Sequence, residues 1–176
     1  SSFEADFRSG ASDVYSHEIP GGQYTNLRQQ ARSMGIDRRW PEGANTYAKV
    51  NEMFGDIVKV TPSSKVVGDL TLLMITSDIS AEDVLNPDKE IAFPESVIQF
   101  FKGELGQPYG GFPAELQKKI LKGEEPITVR PGSIMEDIDL DSTKIEVAET
   151  VGRDITDQEL ASYLMYPQVF TDYARH

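Results

Sequence analysis

The chain contains no cysteine, which excludes disulfides, thiolate nucleophiles and cysteine-ligated metal, and leaves its redox compartment undetermined. Its two histidines, His17 and His176, belong to no His-x-His or HExxH pattern, so no metal site is expected. No apolar run approaches the roughly 18 residues of a membrane span, and no charged segment followed by an apolar one marks a leader. Ser1-Ser2-Phe3 does not read as a native start, so the chain is expected to be a piece of a longer one. Basic residues are scarce as well: 17 Lys and Arg stand against 29 Asp and Glu, a net charge of -12. The deficit lies in the second half, since residues 1–80 hold 8 basic and 10 acidic side chains and residues 81–176 hold 9 and 19. Without a basic, aromatic-laced stripe, neither nucleic acid nor an anionic membrane is expected as a partner.

What the chain has is helix punctuation. Its 176 residues are enough to bury a core, and 10 prolines and 14 glycines break it into short elements. Residues 1–22 are rich in Ser, Gly and Asp and are expected to be extended, up to a turn at Pro20-Gly21-Gly22. Residues 23–176 read as mainly helical. Gln23 to Met34 is polar with sparse apolar positions, whereas Ala44, Tyr47, Val50, Met53 and Phe54 trace a helical face that stops at Gly55. Ser80 to Asp83 has capping chemistry, Pro94 opens an apolar stripe through Val97, Ile98, Phe101 and Leu105, and Leu116, Ile120 and Leu121 mark another helix. Gly106 to Pro113 lacks the Lys-Ser/Thr of a phosphate loop and reads as a turn. Residues 124–140 are acidic and punctuated by Pro and Gly, which suggests a connector. Within them and just beyond, Asp137, Asp139 and Asp141 alternate like half a calcium loop but lack its Gly and terminal Glu, so they read as a solvated linker. Thr156-Asp157-Gln158-Glu159 is a capping box, and Pro167 starts the last helix.

The most informative stretch is Ile57-Val58-Lys59-Val60-Thr61-Pro62-Ser63-Ser64-Lys65-Val66-Val67-Gly68-Asp69-Leu70. Ile57 to Val60 read as a short buried strand or extended lead-in. Pro62 suits the first helical position and Thr61 its N-cap, ahead of a helix that runs to about Ser77 with Val66, Leu70, Leu73 and Met74 on one face. Two uses of the polar residues are open. Thr61, Ser63 and Ser64 can satisfy orphan helix N–H groups with Lys65 solvated, or the hydroxyls and the ammonium can face a small polar ligand. His17, beside Glu18, reads as a structural hydrogen-bonding residue.

A second segment bears on that choice. Ser9-Gly10-Ala11-Ser12-Asp13-Val14-Tyr15-Ser16-His17-Glu18-Ile19-Pro20-Gly21-Gly22-Gln23-Tyr24-Thr25-Asn26-Leu27 and the Ile57–Leu70 stretch, in this order and separation, resemble pyruvate carboxylases. The likeness continues through Val50-Asn51-Glu52-Met53-Phe54-Gly55-Asp56, Gly110-Gly111-Phe112-Pro113, Arg130-Pro131-Gly132 and Met165-Tyr166-Pro167-Gln168-Val169-Phe170, and so covers nearly the whole chain.

The resemblance implies a mainly α fold: short helices forming a funnel-like extension of a (β/α)8-barrel carboxyltransferase domain, with only short strand pieces. It implies one half-reaction, transfer of CO2 from carboxybiotin to pyruvate to give oxaloacetate. By that likeness Thr61 is the catalytic residue, relaying a proton between the pyruvate methyl group and N1 of biotin, and Ser64 and Lys65 contact the biotin ring. A hydroxyl suits such a relay because it accepts and donates at once. The biotin is carried on another domain, a divalent zinc or manganese ion sits in the barrel, and ATP is used at a separate domain. No Met-Lys biotinylation pair and no glycine-rich nucleotide loop occur here, so the chain is expected to be inert alone. Its implied partners are the rest of the barrel, the biotin carboxyl carrier domain, pyruvate, and further copies in a homotetramer. The compartment would be cytoplasmic in a bacterium and the mitochondrial matrix in an animal. The alternatives are a biotin-dependent oxaloacetate decarboxylase or transcarboxylase subunit and, from another class, a non-catalytic helical interaction module. Gln23-Tyr24-Thr25 and Ser63-Ser64-Lys65 resemble the carboxylase more than the sodium-pumping decarboxylase.

Overall fold

Helices make up nearly all the regular structure, and no strand forms among the described residues. The computed structural model describes residues 12–175. It divides into two compact units, one ending at Ile134 and the other beginning at Met135.

The first unit holds α1 (Val14–His17), α2 (Gly21–Ser33), a 3-10 turn (Asp37–Arg39), α3 (Trp40–Met53), α4 (Ser63–Thr76), α5 (Ala81–Leu85), α6 (Glu95–Lys102), α7 (Ala114–Leu121) and a second 3-10 turn (Pro131–Ser133). Helix α4 lies at its centre, packed against α2, α3 and α6, while α6 also packs on α7. The pattern behind this is plain in the side chains: α4 buries Val66, Val67, Leu70, Leu72, Met74 and Ile75, and the face expected on α3 buries Tyr47 and Val50, with Phe54 at its end. Gly55 stops α3 with a φ of 88°. Ser80 and Asp83 form the expected reciprocal capping box on α5. Four aromatic rings, Phe54, Phe100, Phe101 and Phe112, meet at centroid distances of 4.9 to 6.0 Å and join the end of α3 to α6.

Four expectations are corrected here. The extended segment at residues 1–22 includes a helical turn, Val14–His17, and α2 already starts at Gly21; residues 1–11 lie outside the described residues. The turn is held by the burial of His17, whose Nδ1 accepts a 2.9 Å bond from the Ile19 N–H and whose ring stacks on Tyr24. Burial pushes the His17 pKa down, so the neutral, accepting imidazole is favoured.

Ile57 to Val60 is extended but is not a strand. Its side chains alternate, with Ile57 buried and Val58 and Val60 exposed, yet no second strand lies beside it. The Ser63 hydroxyl takes over a ladder partner's work: it accepts from the Val60 N–H at 3.1 Å and lies 2.6 Å from the Val58 carbonyl.

The helix opened at Pro94 ends at Lys102, before the stripe reaches Leu105. Gly103 has φ 92°, and a Cβ there would stand 2.5 Å from the Ile127 carbonyl oxygen, so the chain turns out of the helix where Ile127 N–H bonds the Lys102 carbonyl at 2.7 Å. Leu105 is left half exposed.

The second unit contains α8 (Leu140–Val151), α9 (Asp157–Met165) and α10 (Pro167–Ala174), closed over Val147, Ile155, Leu160 and Phe170. Here the fourth correction falls. Asp139 is no linker carboxylate but the N-cap of α8, accepting from the Ser142 N–H at 3.0 Å. The capping box of α9 forms as expected: Thr156 and Glu159 satisfy each other's backbone N–H. Arg153 and the Thr156 N–H hold the Glu159 carboxyl down to about 2. A carboxylate lowered by the fold stabilises it above its ordinary pKa near 4.5, and that contribution fades as pH falls toward 2. Acid titration followed by circular dichroism is expected to show helix loss in this window, and Glu159→Gln should remove the part due to this box. A titration identical in the variant would show that the box carries none of it.

Candidate functional site

The start of α4 meets one face of α2 in an open cleft of about 470 Å³. Gln23, Asn26, Gln29, Gln30 and Ser33 line it from α2, and Thr61, Ser64 and Lys65 line it from the α4 end. The three residues singled out by the sequence thus share one surface. Carboxamides, hydroxyls and one ammonium make up the lining, and no carboxylate is among them.

The helix start is built differently from the expected cap. Pro62, not Thr61, occupies the N-cap position, and no side chain caps the helix. The first free N–H groups of α4 are satisfied by backbone instead: Ser64 N–H bonds the Val60 carbonyl at 2.9 Å, and Lys65 and Val66 N–H reach the Pro62 carbonyl at 3.0 and 3.3 Å. The turn at Thr61-Pro62, whose peptide bond is cis, carries these carbonyls. The Thr61 side chain therefore has no capping duty, and it has no hydrogen-bond partner among the described residues.

Ser64 is buried, and its carbonyl accepts a 3.2 Å bond from the Tyr47 hydroxyl. Burial pushes the Tyr47 phenol up, which keeps it protonated and donating. The Ser64 hydroxyl itself makes no bond among the described residues and opens to the cleft. Lys65 is exposed and pairs with Asp69 one turn on, while Asp69 also accepts from the Ser96 hydroxyl. That second donor ties the carboxylate to α6, so the flexible ammonium is the movable member of the pair.

Asn26, Gln29, Gln30 and Ser33 were not singled out by sequence. The available signal was periodicity: Gln23, Asn26, Gln30 and Ser33 recur at three- and four-residue steps, so they share one helix face, while Leu27 and Ala31 are buried on another. A polar face on an already polar helix reads as solvent-facing until a second element is seen across from it. His17 lies outside this lining in the structural role expected of it. Among the described residues no group of three or more His, Asp or Glu is placed to hold a metal ion, and no helix is long and apolar enough to cross a membrane.

Comparison with known proteins places this geometry among relatives. The family model described as a conserved carboxylase domain matches residues 14–176. The chain is 51% identical over 175 residues to a pyruvate carboxylase of Bacillus subtilis (strain 168) and 47% identical over 173 residues to one of Staphylococcus aureus (strain Mu50 / ATCC 700699), covering 99% and 98% of this chain. It spans 15% of the length of each of those two curated relatives. Among solved structures it resembles the carboxyl transferase domain of Rhizobium etli pyruvate carboxylase with oxamate and biotin, at a TM-score of 0.92 and 57% identity, over 98% of this chain and 29% of that one. The complete multifunctional enzyme from the same organism gives 0.90 and 57% over 98% and 17%.

Proposed function

Because the chain belongs to the conserved carboxylase domain family, we propose that it is part of a biotin-dependent pyruvate carboxylase and forms one wall of the site where a carboxyl group passes to pyruvate. The observation that carries this is the cleft: Thr61, Ser64 and Lys65 line one polar surface, and Thr61 has a hydroxyl free of structural work. Its partial length accords with the rest of the machinery, the barrel with its divalent metal, the ATP site and the biotinyl domain, lying elsewhere in the parent enzyme. The chain alone is then inert.

The donor set fits a ureido ring. Such a ring offers one carbonyl acceptor and nitrogen groups that need donors or acceptors, and the cleft supplies an ammonium, hydroxyls and carboxamides with no carboxylate to repel a developing negative charge. Biotin, when bound, brings the carboxyl group and offers a nitrogen that must be protonated once that group leaves. Thr61 Oγ1 takes up the proton lost from the pyruvate methyl carbon and passes its own hydroxyl proton to that nitrogen, so that Thr61 ends neutral. Lys65 Nζ donates to the ureido oxygen, where it favours negative charge. Ser64, fixed through its backbone by Tyr47, adds a positioned hydroxyl. A decarboxylase or transcarboxylase subunit and a non-catalytic helical module are less favoured, since the curated relatives described above are pyruvate carboxylases.

The test is Lys65→Met in the full-length enzyme. Losing a charged hydrogen bond of about 1.5–3 kcal/mol predicts a fall in oxaloacetate formation of at least about tenfold with bicarbonate-dependent ATP cleavage retained. Stability should hardly change, because the Lys65–Asp69 pair is an exposed i,i+4 pair worth about 0.5 kcal/mol at most. Equal oxaloacetate rates in variant and wild type would remove the ammonium from the site.

A further inference from the structure

Helix α2 reaches the cleft because α4 presents bare backbone to it at Gly68. A Cβ added there would stand 2.6 Å from Gln23 Nε2 and 3.1 Å from Leu27 Cδ1. The first distance is well inside van der Waals contact, so the Gln23 carboxamide would have to shift from its place against α4. Gly68 is buried in the interior of α4, one turn after Ser64 and on the same helix face. Its backbone is helical and needs no glycine. Glycine there lowers helix stability relative to alanine, so the residue is accounted for by space alone. The Gln23 carboxamide rests against α4 at this point, lines the cleft with Thr61, Ser64 and Lys65, and has no hydrogen-bond partner among the described residues. Nothing but packing holds it there.

We propose that Gly68 is a positioning residue for the cleft: the side chain it lacks is what lets the Gln23 carboxamide lie along α4 beside Ser64, and the size of residue 68 sets how well the cleft receives a ureido ring. This rests on the cleft being the biotin site. Gly43, in α3, provides a contrast whose contact is looser than the one to Gln23 and close to the one to Leu27. A Cβ there would meet Ile75 Cδ1 at 3.0 Å, and neither residue lines the cleft.

The test is a double-mutant cycle in the full-length enzyme, with biocytin as the free carboxyl acceptor in oxaloacetate decarboxylation. Gly68→Ala is expected to raise the KM for biocytin by about tenfold, the scale of a misplaced binding group, with bicarbonate-dependent ATP cleavage unchanged. Gln23→Ala should raise it as well. In the Gln23→Ala background, Gly68→Ala should add less than twofold, because the side chain it displaces is gone. Gly43→Ala should leave the KM for biocytin unaltered. Two results overturn the proposal: a KM for Gly68→Ala within twofold of wild type, or a full tenfold effect that persists in the Gln23→Ala background. If Gly68→Ala alone unfolds the region, recovery of folding in the double variant supports displacement of Gln23, and failure to recover refutes it. Should Thr61→Ala and Lys65→Met both leave biocytin turnover intact, the biotin site itself is elsewhere. If they impair it while Gly68→Ala does not, only the role of Gly68 fails.

Discussion

Thr61→Ala in the full-length enzyme is expected to lower oxaloacetate formation by about a hundredfold or more, the scale of a lost acid–base group, while bicarbonate-dependent ATP cleavage continues. The helix start sharpens this prediction. An N-cap threonine costs about 1 kcal/mol of stability when cut to alanine, but Pro62 occupies the N-cap position and the Val60 and Pro62 carbonyls take the first N–H groups of α4. The melting temperature of Thr61→Ala should therefore stay near that of the parent enzyme, so the rate loss cannot be put down to a loosened helix. Thr61→Ser keeps the hydroxyl and should retain part of the activity. Near-normal oxaloacetate formation by Thr61→Ala would take Thr61 out of the mechanism.

Phe101→Ala is the largest stability effect expected. Phe101 is fully buried, with its ring edge-on to Phe54 at 4.9 Å and to Phe100 at 5.6 Å, and tilted against Phe112 at 5.3 Å. Truncation leaves a ring-sized void among side chains belonging to three segments, which cannot all close on it, so a loss of about 3–5 kcal/mol is expected in denaturant unfolding. Phe112→Ala should cost less, since Phe112 is only partly buried, and Tyr109→Ala in the same loop should be silent because Tyr109 is fully exposed. A Phe101→Ala midpoint equal to that of Tyr109→Ala would mean the ring cluster does not hold α6 to the end of α3.

Much of this architecture was legible beforehand wherever a local rule acts alone. The box at Thr156 and Glu159 and the stop at Gly55 each need only residues within one turn of each other, and each forms as expected. Reading failed where a distant or competing partner decides. Asp139 is an exception, since the N–H it caps, that of Ser142, is only three residues on, and its reading as one of three solvated carboxylates overlooks a local N-cap ahead of Leu140, Val147 and Val151. Leu105 continued an apolar period, but the Ile127 carbonyl, more than twenty residues away, claims the space beside Gly103 and turns the chain out of the helix.

At the site the same division holds. Thr61, Ser64 and Lys65 lie within five residues, and chemistry plus resemblance marked them without coordinates. That Thr61 is relieved of capping, that the polar face of α2 stands opposite it, and that Gly68 leaves room for Gln23 were decided only in three dimensions. Side-chain type and neighbours within a turn determined the helical character, several helix ends and the absence of thiol chemistry, while the three polar residues were marked by the resemblance. The tertiary structure alone decided which hydroxyls are spent on the backbone and which are left without such a bond. A hydrogen bond or a close contact depends on distances between segments, and the 35 residues between Asn26 and Pro62 place no limit of their own on where two helix faces will meet.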